Sequence, residues 1–464
     1  MQIKRNDIST ILQYLHLLSV MALVCTLPFY YSPFQQYALI LSFATFILEF
    51  CVSQRWHDWH WDYTKLTFLA MAAFYLLMPL MHIFENTDTY FAKQMETRLA
   101  FVAIPLLGIC GANPRYKLNY IGFTFIISAT ILAAYVVIRT LVATGMHADL
   151  TTCQITALYI RLAINNHMIF NQHLCIALAF TCYFAIKYHN LPLRIALAST
   201  FAISQAYMLL AEGRAGFIGF NLIVIIFIAY LLIRWNKIGG IIISALIIAA
   251  AILMVGSHRQ LYKDSSPESI AKDPRIAIWT VSLNLIRQQP VFGYGVSDGE
   301  ELFIDESIRQ YPELLNQPPQ NPDMAWRGRN IIGAHTHSTF VQTMLEFGIV
   351  GLVIFLSIIV LAVISSKGEE RLLMILFLTG WLIQASVEVL GCGLYPITFC
   401  LMIYTIICSK PPTPRQTDMK RFQRTENNPV NYFRSKCASK SEKVPTFQTL
   451  NTFDIGISSE CHIH

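Results

Sequence analysis

The feature that most constrains this chain is a series of long apolar runs that recur from near its start to about residue 408. Most runs have roughly the 18 to 25 residues that an α-helix needs to cross a hydrocarbon layer of about 30 Å. A soluble domain carries about 25% charged residues, whereas this chain carries 13%. The pattern predicts an all-α, polytopic integral membrane protein.

About twelve transmembrane spans are expected, and the first is interpreted as an uncleaved span because no small-residue cleavage motif follows it. The predicted spans centre on 11–29, 35–53, 66–84, 98–113, 119–141, 168–186, 193–211, 215–233, 238–256, 339–364, 372–390 and 392–408.

Lysine and arginine residues of the short connections concentrate in alternate ones, which predicts that those connections and both chain ends are cytoplasmic. Lys93 and Arg98 depart from this trend, since they lie on the predicted outer side. Membrane orientation therefore accounts for the net charge of +6 without nucleic-acid binding. The cysteines form no CxxC pair, so neither a disulfide framework nor a zinc site is expected.

Composition divides the chain into four parts. Residues 1–256 are predicted to form an N-terminal transmembrane bundle of about nine spans, and residues 257–338 one long outer loop with short helices. Residues 339–408 supply about three further spans. Residues 409–464 are rich in Pro, Lys, Arg, Ser and Thr, which is typical of a disordered cytoplasmic tail.

Three polar stretches on the outer side carry recognisable motifs. The third, HTHSTFVQTMLEFGIVG, places nine residues between His337-Ser338 and Gly348, followed after two residues by Gly351. The other two stretches contain Gly213-Arg214-Ala215-Gly216, and Arg275 and Trp279 followed by Pro290-Val291-Phe292-Gly293-Tyr294-Gly295. Together they resemble the O-antigen ligase family, although a glycine replaces the serine of the family's Ser-Arg-Gly-like turn.

The resemblance implies a GT-C-like fold with about twelve spans and one long periplasmic loop. It also implies a metal-independent, cofactor-free glycosyltransferase in the bacterial inner membrane, with its active site on the periplasmic face. The donor would be a glycan on undecaprenyl diphosphate, the acceptor lipid A–core oligosaccharide, and transfer would invert the sugar's anomeric centre. By the same resemblance His337 is the general base, and Arg214 and Arg275 bind the diphosphate.

These residue types suit that chemistry. The acceptor hydroxyl needs a base, and an ordinary histidine, with a pKa of about 6.5, can serve near neutral pH. The departing diphosphate needs positive charge, and the planar guanidinium of arginine matches phosphate oxygens.

The long loop contains further candidates. Trp326 and Arg327 are candidate contacts to a sugar or acceptor. Asp298 either contacts the acceptor or caps a helix, and capping is the favoured interpretation. Arg287, Arg327 and Arg329 are substitutes for Arg275 in binding the diphosphate. His335 lies beside His337, but no third ligand is evident, so a metal site is not expected.

Glu346 is an ionisable residue within a predicted span. On a helix, Ser338, Gln342 and Glu346 form one polar stripe, and Glu346 lies roughly 13 Å from His337. We therefore expect Glu346 to make a structural interhelical contact, with a water-linked proton path as the alternative. Gly348 and Gly351 are expected to let a neighbouring helix approach closely.

The sequence is also compatible with other functions. A polymerase or a protein O-oligosaccharyltransferase of the same superfamily would use a similar donor with another acceptor. A transporter or lipid flippase would also suit twelve spans, but the distinctive polar residues cluster at one face, whereas transporters carry charges at mid-membrane in paired broken helices.

Overall fold

The structure is a computed structural model that describes residues 5–29, 33–58, 60–113, 115–145, 150–162, 167–210, 213–239, 241–242, 274–311, 335–390 and 395–409. The elements in this part of the chain are helical, which confirms the predicted all-α class. A short 3₁₀ turn lies at Arg55–Asp58. The α-helices are α1 (Arg5–Thr26), α2 (Pro33–Ser53), α3 (Thr64–His82), α4 (Phe91–Arg98), α5 (Ala100–Cys110), α6 (Leu118–Thr144), α7 (Leu150–Leu162), α8 (His167–Lys187), α9 (Leu191–Leu210), α10 (Arg214–Trp235), α11 (Pro274–Gln288), α12 (Val296–Gln310), α13 (Thr339–Ser365), α14 (Gly368–Ala385) and α15 (Tyr395–Cys408).

Eight of these helices are long and apolar enough to cross a membrane: α1, α2, α3, α6, α8, α9, α10 and α13. The chain is therefore a multi-pass membrane protein. The number twelve stays a prediction, because the described residues contain eight such helices and most of the predicted span 238–256 lies outside them.

The helices differ from the predicted spans in two places. The predicted span 98–113 contains α5, which has only 11 residues and ends at Cys110, just before Gly111, where φ is 96°. At about 1.5 Å per residue, α5 is too short to cross a bilayer alone. Helix α7, which was not predicted, packs against α6.

The centre of the bundle is built around α13, which packs on α3, and α14, which packs on α8 and α10. Aromatic rings fill the space between α13, α14 and α15. The ring of Trp381 lies 5.6 Å from that of Phe355 and 4.4 Å from that of Phe399. Since lipid is as apolar as these side chains, close packing rather than exclusion of water holds such helices together.

The long outer loop contributes α11 and α12, which share a small apolar core with α13. Ile278, Val281 and Leu285 of α11 are buried against Phe303 of α12 and Leu345 of α13. Leu283 of α11 lies outside this core and is 48% exposed.

Helix α13 is interrupted at Gly348, where φ is 59° and ψ −159°. The loop segment 290–295 enters this break and satisfies the backbone groups that the interruption frees. The N–H groups of Tyr294, Gly295, Ile349 and Val350 donate to the carbonyls of Leu345 (3.0 Å), Glu346 (2.8 Å), Pro290 (2.9 Å) and Val291 (3.3 Å).

The expected role of Gly348, close approach of a neighbouring helix, was therefore wrong. A β-carbon on Gly348 would lie 2.3 Å from the carbonyl group of Val291, so the partner is loop backbone and not a helix. A β-carbon on Gly351 would meet Phe347 of the same helix at 2.2 Å. Gly348 is needed both for its positive φ and for this close approach.

Candidate functional site

His337 lies just before α13 in a left-handed backbone conformation, with φ 51°. Such a conformation is uncommon for a residue with a side chain and persists where neighbouring contacts hold it. Ser338 follows in an extended conformation and caps α13 by accepting the N–H of Val341 at 3.5 Å. On the other side, the Thr336 hydroxyl donates to the Ser338 carbonyl at 3.0 Å. These contacts fix the turn that presents His337.

Glu388, which follows α14, faces His337. The Glu388 carbonyl accepts the N–H of Thr339 at 3.0 Å and its hydroxyl at 2.8 Å, while Leu390 N–H donates to that hydroxyl at 2.8 Å. This clamp places a Glu388 carboxylate oxygen 3.6 Å from His337 Nδ1. The Glu388 side chain is 12% exposed and the His337 side chain is 25% exposed. Sequence reasoning missed Glu388, although an acidic residue in the apolar run 372–390 was a signal.

His335 is close to His337, and their ring centroids lie 4.6 Å apart. Burial and the neighbouring His337 lower the pKa of His335, and the Glu388 carboxylate opposes that shift. In the described part of the chain, no three His, Cys, Asp or Glu side chains are grouped as metal ligands would be.

The polar stripe of α13 leads from this turn to a buried ion pair. Thr336 N–H donates to the Gln342 side-chain oxygen at 3.0 Å, and Gln342 Nε2 donates to Glu346 at 2.9 Å. Glu346 in turn accepts two hydrogen bonds from Arg98 of α4, at 2.5 and 2.8 Å. The Arg98 and Glu346 side chains are only 3% and 2% exposed. Arg98, which departs from the charge distribution expected of an outer connection, is thus buried and paired.

Arg275 lies on the helix that packs beside this turn. Trp279 Nε1 donates to the Thr336 carbonyl at 3.0 Å, which ties α11 to the residue before His337. Arg275 precedes Trp279 by four positions and therefore shares its face of α11. Arg275 itself is half-buried.

Arg214 is the first residue of α10. A β-carbon on Gly219 would lie 3.6 Å from Gly380 Cα, so α10 and α14 touch at these two glycines. Arg214 precedes Gly219 by five residues in α10, and Ala385 follows Gly380 by five residues in α14. Each separation is a rise of about 7.5 Å along its helix. Because the two helices run in opposite directions, the start of α10 is level with the end of α14, which Glu388 follows.

Asp298 does not cap its own helix. It lies in the first turn of α12, where its carboxylate accepts the backbone N–H groups of Asn86 and Thr87 at 3.0–3.1 Å and both of their side chains. Burial raises the pKa of Asp298, but these hydrogen bonds outweigh it and leave the pKa below its usual value. The favoured interpretation as a cap was wrong in detail: Glu85, not Asp298, accepts the Ser297 N–H at the start of α12, at 2.8 Å.

Of the remaining candidates, Trp326 and Arg327 lie outside the described residues, as does Arg329. Arg287 lies in the last turn of α11. The structure thus brings His337, Glu388 and the Thr336–Gln342–Glu346–Arg98 hydrogen-bonded series together, with α11 packed against them.

The fold and site together define a multi-pass α-helical membrane protein with a polar, histidine-containing site where the long loop meets the bundle. The sequence model of the O-antigen ligase family matches residues 199–356. This segment contains Arg214, Arg275, His337 and both motif glycines. The match confirms the resemblance to the O-antigen ligase family.

Two proteins of Rickettsia show the same likeness. A proposed polysaccharide ligase of Rickettsia felis is 27% identical over 155 residues, which cover 32% of this chain and 35% of the relative. A proposed polysaccharide ligase of Rickettsia conorii is 27% identical over 199 residues, 40% of this chain and 43% of the relative. The aligned segments thus span less than half the length of either relative.

Proposed function

We propose that this protein is a glycosyltransferase that moves a polysaccharide from undecaprenyl diphosphate to lipid A–core oligosaccharide, on the periplasmic face of the inner membrane. The His337–Glu388 arrangement carries the proposal. It lies at the entrance of α13, inside the segment that matches the ligase family, and pairs a partly exposed imidazole with a fixed carboxylate.

In this proposal His337 acts as general base. With Nδ1–H directed at Glu388, the lone pair of Nε2 is available to the acceptor hydroxyl. As the acceptor oxygen forms its bond to sugar C1, its proton passes to Nε2. The bond from C1 to the diphosphate oxygen breaks, and the electron pair leaves with undecaprenyl diphosphate. A single displacement of this kind inverts the configuration at C1.

Arg214 and Arg275 stabilise the departing diphosphate. Arg214 begins α10, where free backbone N–H groups also favour a phosphate. Arg275 lies on the face of α11 whose Trp279 contacts the Thr336 carbonyl. The guanidinium charge does not depend on pH in the physiological range, so it can offset the charge that develops on the leaving group.

The interruption of α13 is compatible with this proposal rather than with transport. Secondary transporters use broken helices whose free ends face a substrate cavity at mid-membrane. In α13 the freed groups bond instead to the backbone of segment 290–295. The interruption therefore anchors the outer loop.

Deleting the gene in its host and analysing lipid-linked intermediates tests the proposal. We expect long glycan chains to accumulate on the polyprenyl carrier and to disappear from lipopolysaccharide, with both effects reversed by the intact gene. Accumulation of single repeats would indicate a polymerase. Loss of protein glycosylation with normal lipopolysaccharide would indicate a protein O-oligosaccharyltransferase, and either result would overturn the ligase assignment.

A further inference from the structure

A groove of about 310 Å³ opens between α8, α9 and α10, three of the candidate membrane spans. Its walls include Leu178 of α8, Ala198 and Phe201 of α9, and Phe227 of α10. The hydroxyl of Thr181, one of the few polar groups in the wall, donates to the Ala177 carbonyl at 2.8 Å. A groove with such walls, between membrane spans, suits a hydrocarbon chain and not water.

One end of this groove is basic. Arg194 forms part of its wall, and the partners of its guanidinium in the described chain are a backbone carbonyl and an imidazole rather than carboxylates. Its Nε donates to the Tyr188 carbonyl at 3.3 Å, and Nη2 lies 2.7 Å from His189 Nδ1. Lys187 ends α8 nearby and donates to the Tyr183 hydroxyl at 2.9 Å. The groove therefore combines an apolar channel with a cationic mouth.

Carboxylates near this mouth belong to α14. Glu370 accepts the Tyr183 hydroxyl at 3.2 Å, and Glu369 lies 3.8 Å from Arg234. They partly offset Lys187 and Arg234 but are not ion-pair partners of Arg194. Since no carboxylate pairs with Arg194 in the described chain, its positive charge can bind an anionic ligand.

The same contacts identify the membrane face. Glu370 lies in the first turn of α14, directly after the end of α13 that is remote from His337. Its contact with Tyr183 places the basic mouth at the face opposite the candidate active site. The excess of lysine and arginine in the connections on this side marks the cytoplasmic leaflet, where anionic lipids attract basic residues.

We propose that this groove binds an anionic phospholipid of the cytoplasmic leaflet, with an acyl chain between α8, α9 and α10 and the headgroup phosphate on Arg194. Arginine suits a phosphate because its planar fork can donate two hydrogen bonds at once. The site is separate from the proposed donor site, whose diphosphate belongs at the opposite face. It does not depend on the proposed function.

Photo-crosslinking of the full-length protein in nanodiscs tests the site. The probe is phosphatidylglycerol with a diazirine on its acyl chain, compared with the same chain on phosphatidylcholine. We expect phosphatidylglycerol to label peptides of α8–α10 more strongly. Arg194→Glu should lower that labelling by about fivefold or more, since one basic residue near an anionic surface contributes about 1 kcal/mol.

Two further variants separate the groove from general charge effects. Ala198→Trp places a large ring in the groove from an exposed position of α9 and should abolish labelling there. Arg115→Glu is the matched control, because Arg115 is an exposed arginine that stacks on Tyr14, 4.9 Å from the ring, away from the groove. Arg115→Glu should leave labelling unchanged, and thermal unfolding of each variant shows that it is folded.

Three outcomes would overturn the proposal. The first is equal labelling by the two lipids, and the second is equal loss in Arg194→Glu and Arg115→Glu. The third is labelling of α8–α10 by a photoreactive polyprenyl phosphate that excess phosphatidylglycerol does not displace. If Ala198→Trp fails to fold, Ala198→Leu replaces it, with a smaller loss of labelling expected.

Discussion

The two halves of α13 have different surroundings. The outer half, before Gly348, carries the buried polar residues Gln342, Thr343 and Glu346. The inner half, from 349 to 365, directs Phe355 and Ile358 into the core and exposes apolar side chains such as Val353 and Val360. The outer half is therefore built for fixed polar contacts and the inner half for crossing lipid.

Length explains why the halves can differ. Helix α13 has 27 residues, which at 1.5 Å per residue is about 40 Å, longer than a hydrocarbon core of about 30 Å. The inner half alone covers most of that core. The outer half can therefore support the turn that contains His337. The interruption at Gly348, where the outer loop binds α13, lies between this half and the half that crosses the lipid.

The largest difference should appear when His337 is replaced. In the proposed function His337→Ala lowers glycan transfer by about 10²- to 10⁴-fold, the usual contribution of a general base. The measurement is transfer from lipid-linked glycan in purified membranes. His189→Ala, at the opposite face, is the matched control and should retain activity. Transfer by His337→Ala at the level of the control would show that His337 is not the base.

Removing one partner of the buried ion pair should destabilise the outer half strongly. Glu346→Ala leaves the Arg98 charge in the interior without the Glu346 carboxylate, and breaking a buried ion pair in this way typically costs about 3–5 kcal/mol. Thermal unfolding in detergent measures the loss. Glu369→Ala is the control, because its pair with Arg234 is 3.8 Å long and much more exposed, so about 1 kcal/mol or less is expected. Equal losses of unfolding free energy in the two variants would show that the Arg98–Glu346 pair does not stabilise the fold more than an exposed pair does.

Gly348→Ala tests the junction between the halves. Alanine at φ 59° is strained by about 1–3 kcal/mol, and its β-carbon would press on the Val291 carbonyl group. We expect a lower unfolding temperature and faster proteolysis of segment 290–295. Gly219→Ala is the control, since a β-carbon there makes an ordinary 3.6 Å contact. An unchanged Gly348→Ala protein would mean that the interruption is not needed.

The local pattern of α13 could be predicted from sequence. Apolar length identified the span, and the i, i+4 spacing of Ser338, Gln342 and Glu346 identified a polar stripe. The interruption could not be, because a glycine in a helical run can signal close packing or a positive φ with equal ease. Only the position of segment 290–295 distinguishes the two.

The partners of the site were harder still, since they are distant in sequence. Arg98 precedes Glu346 by 248 positions, and periodicity says nothing about which helices meet. Its place in a connection expected to be poor in basic residues was the available clue. Glu388 was hidden for a similar reason, because its position depends on a backbone clamp to Thr339.

Glu388→Ala should lower glycan transfer less than His337→Ala does. Removing a carboxylate that orients a metal-bound histidine typically lowers activity by about 10- to 100-fold, and we expect a loss of about that size for the proposed base His337. We expect kcat to fall with little change in KM, because the imidazole loses the carboxylate that orients it. Glu388→Asp should recover part of the activity. A change confined to KM would instead indicate that Glu388 contacts substrate.

A pH-dependent effect on stability is expected at Glu300 of α12, beside the buried ion pair. Burial raises the pKa of Glu300 to about 7. The Gln94 hydrogen bond lowers this pKa, and the nearby Glu346 carboxylate raises it further. The positive charges of Arg98 and Lys93 also lower it. An unfolded glutamate has a pKa near 4.3, so between about pH 4.5 and 7 the folded protein holds a proton that the unfolded chain releases. Stability should therefore fall as pH rises through this window.

Glu300→Gln, which is neutral at every pH, isolates this contribution. The difference in unfolding free energy between wild type and Glu300→Gln should change between pH 5 and pH 8, with wild type the less stable of the two at the higher pH. Glu306→Gln on the exposed side of α12 serves as the comparison. Its carboxylate pairs with Arg309, and the hydrogen bonds from Arg309 and Gln310 lower the pKa of Glu306, so any pH effect there has the opposite sign. If wild type instead gained stability relative to Glu300→Gln as pH rose, the folded protein would favour the ionised Glu300 carboxyl, and the charges around Glu346 would be arranged differently.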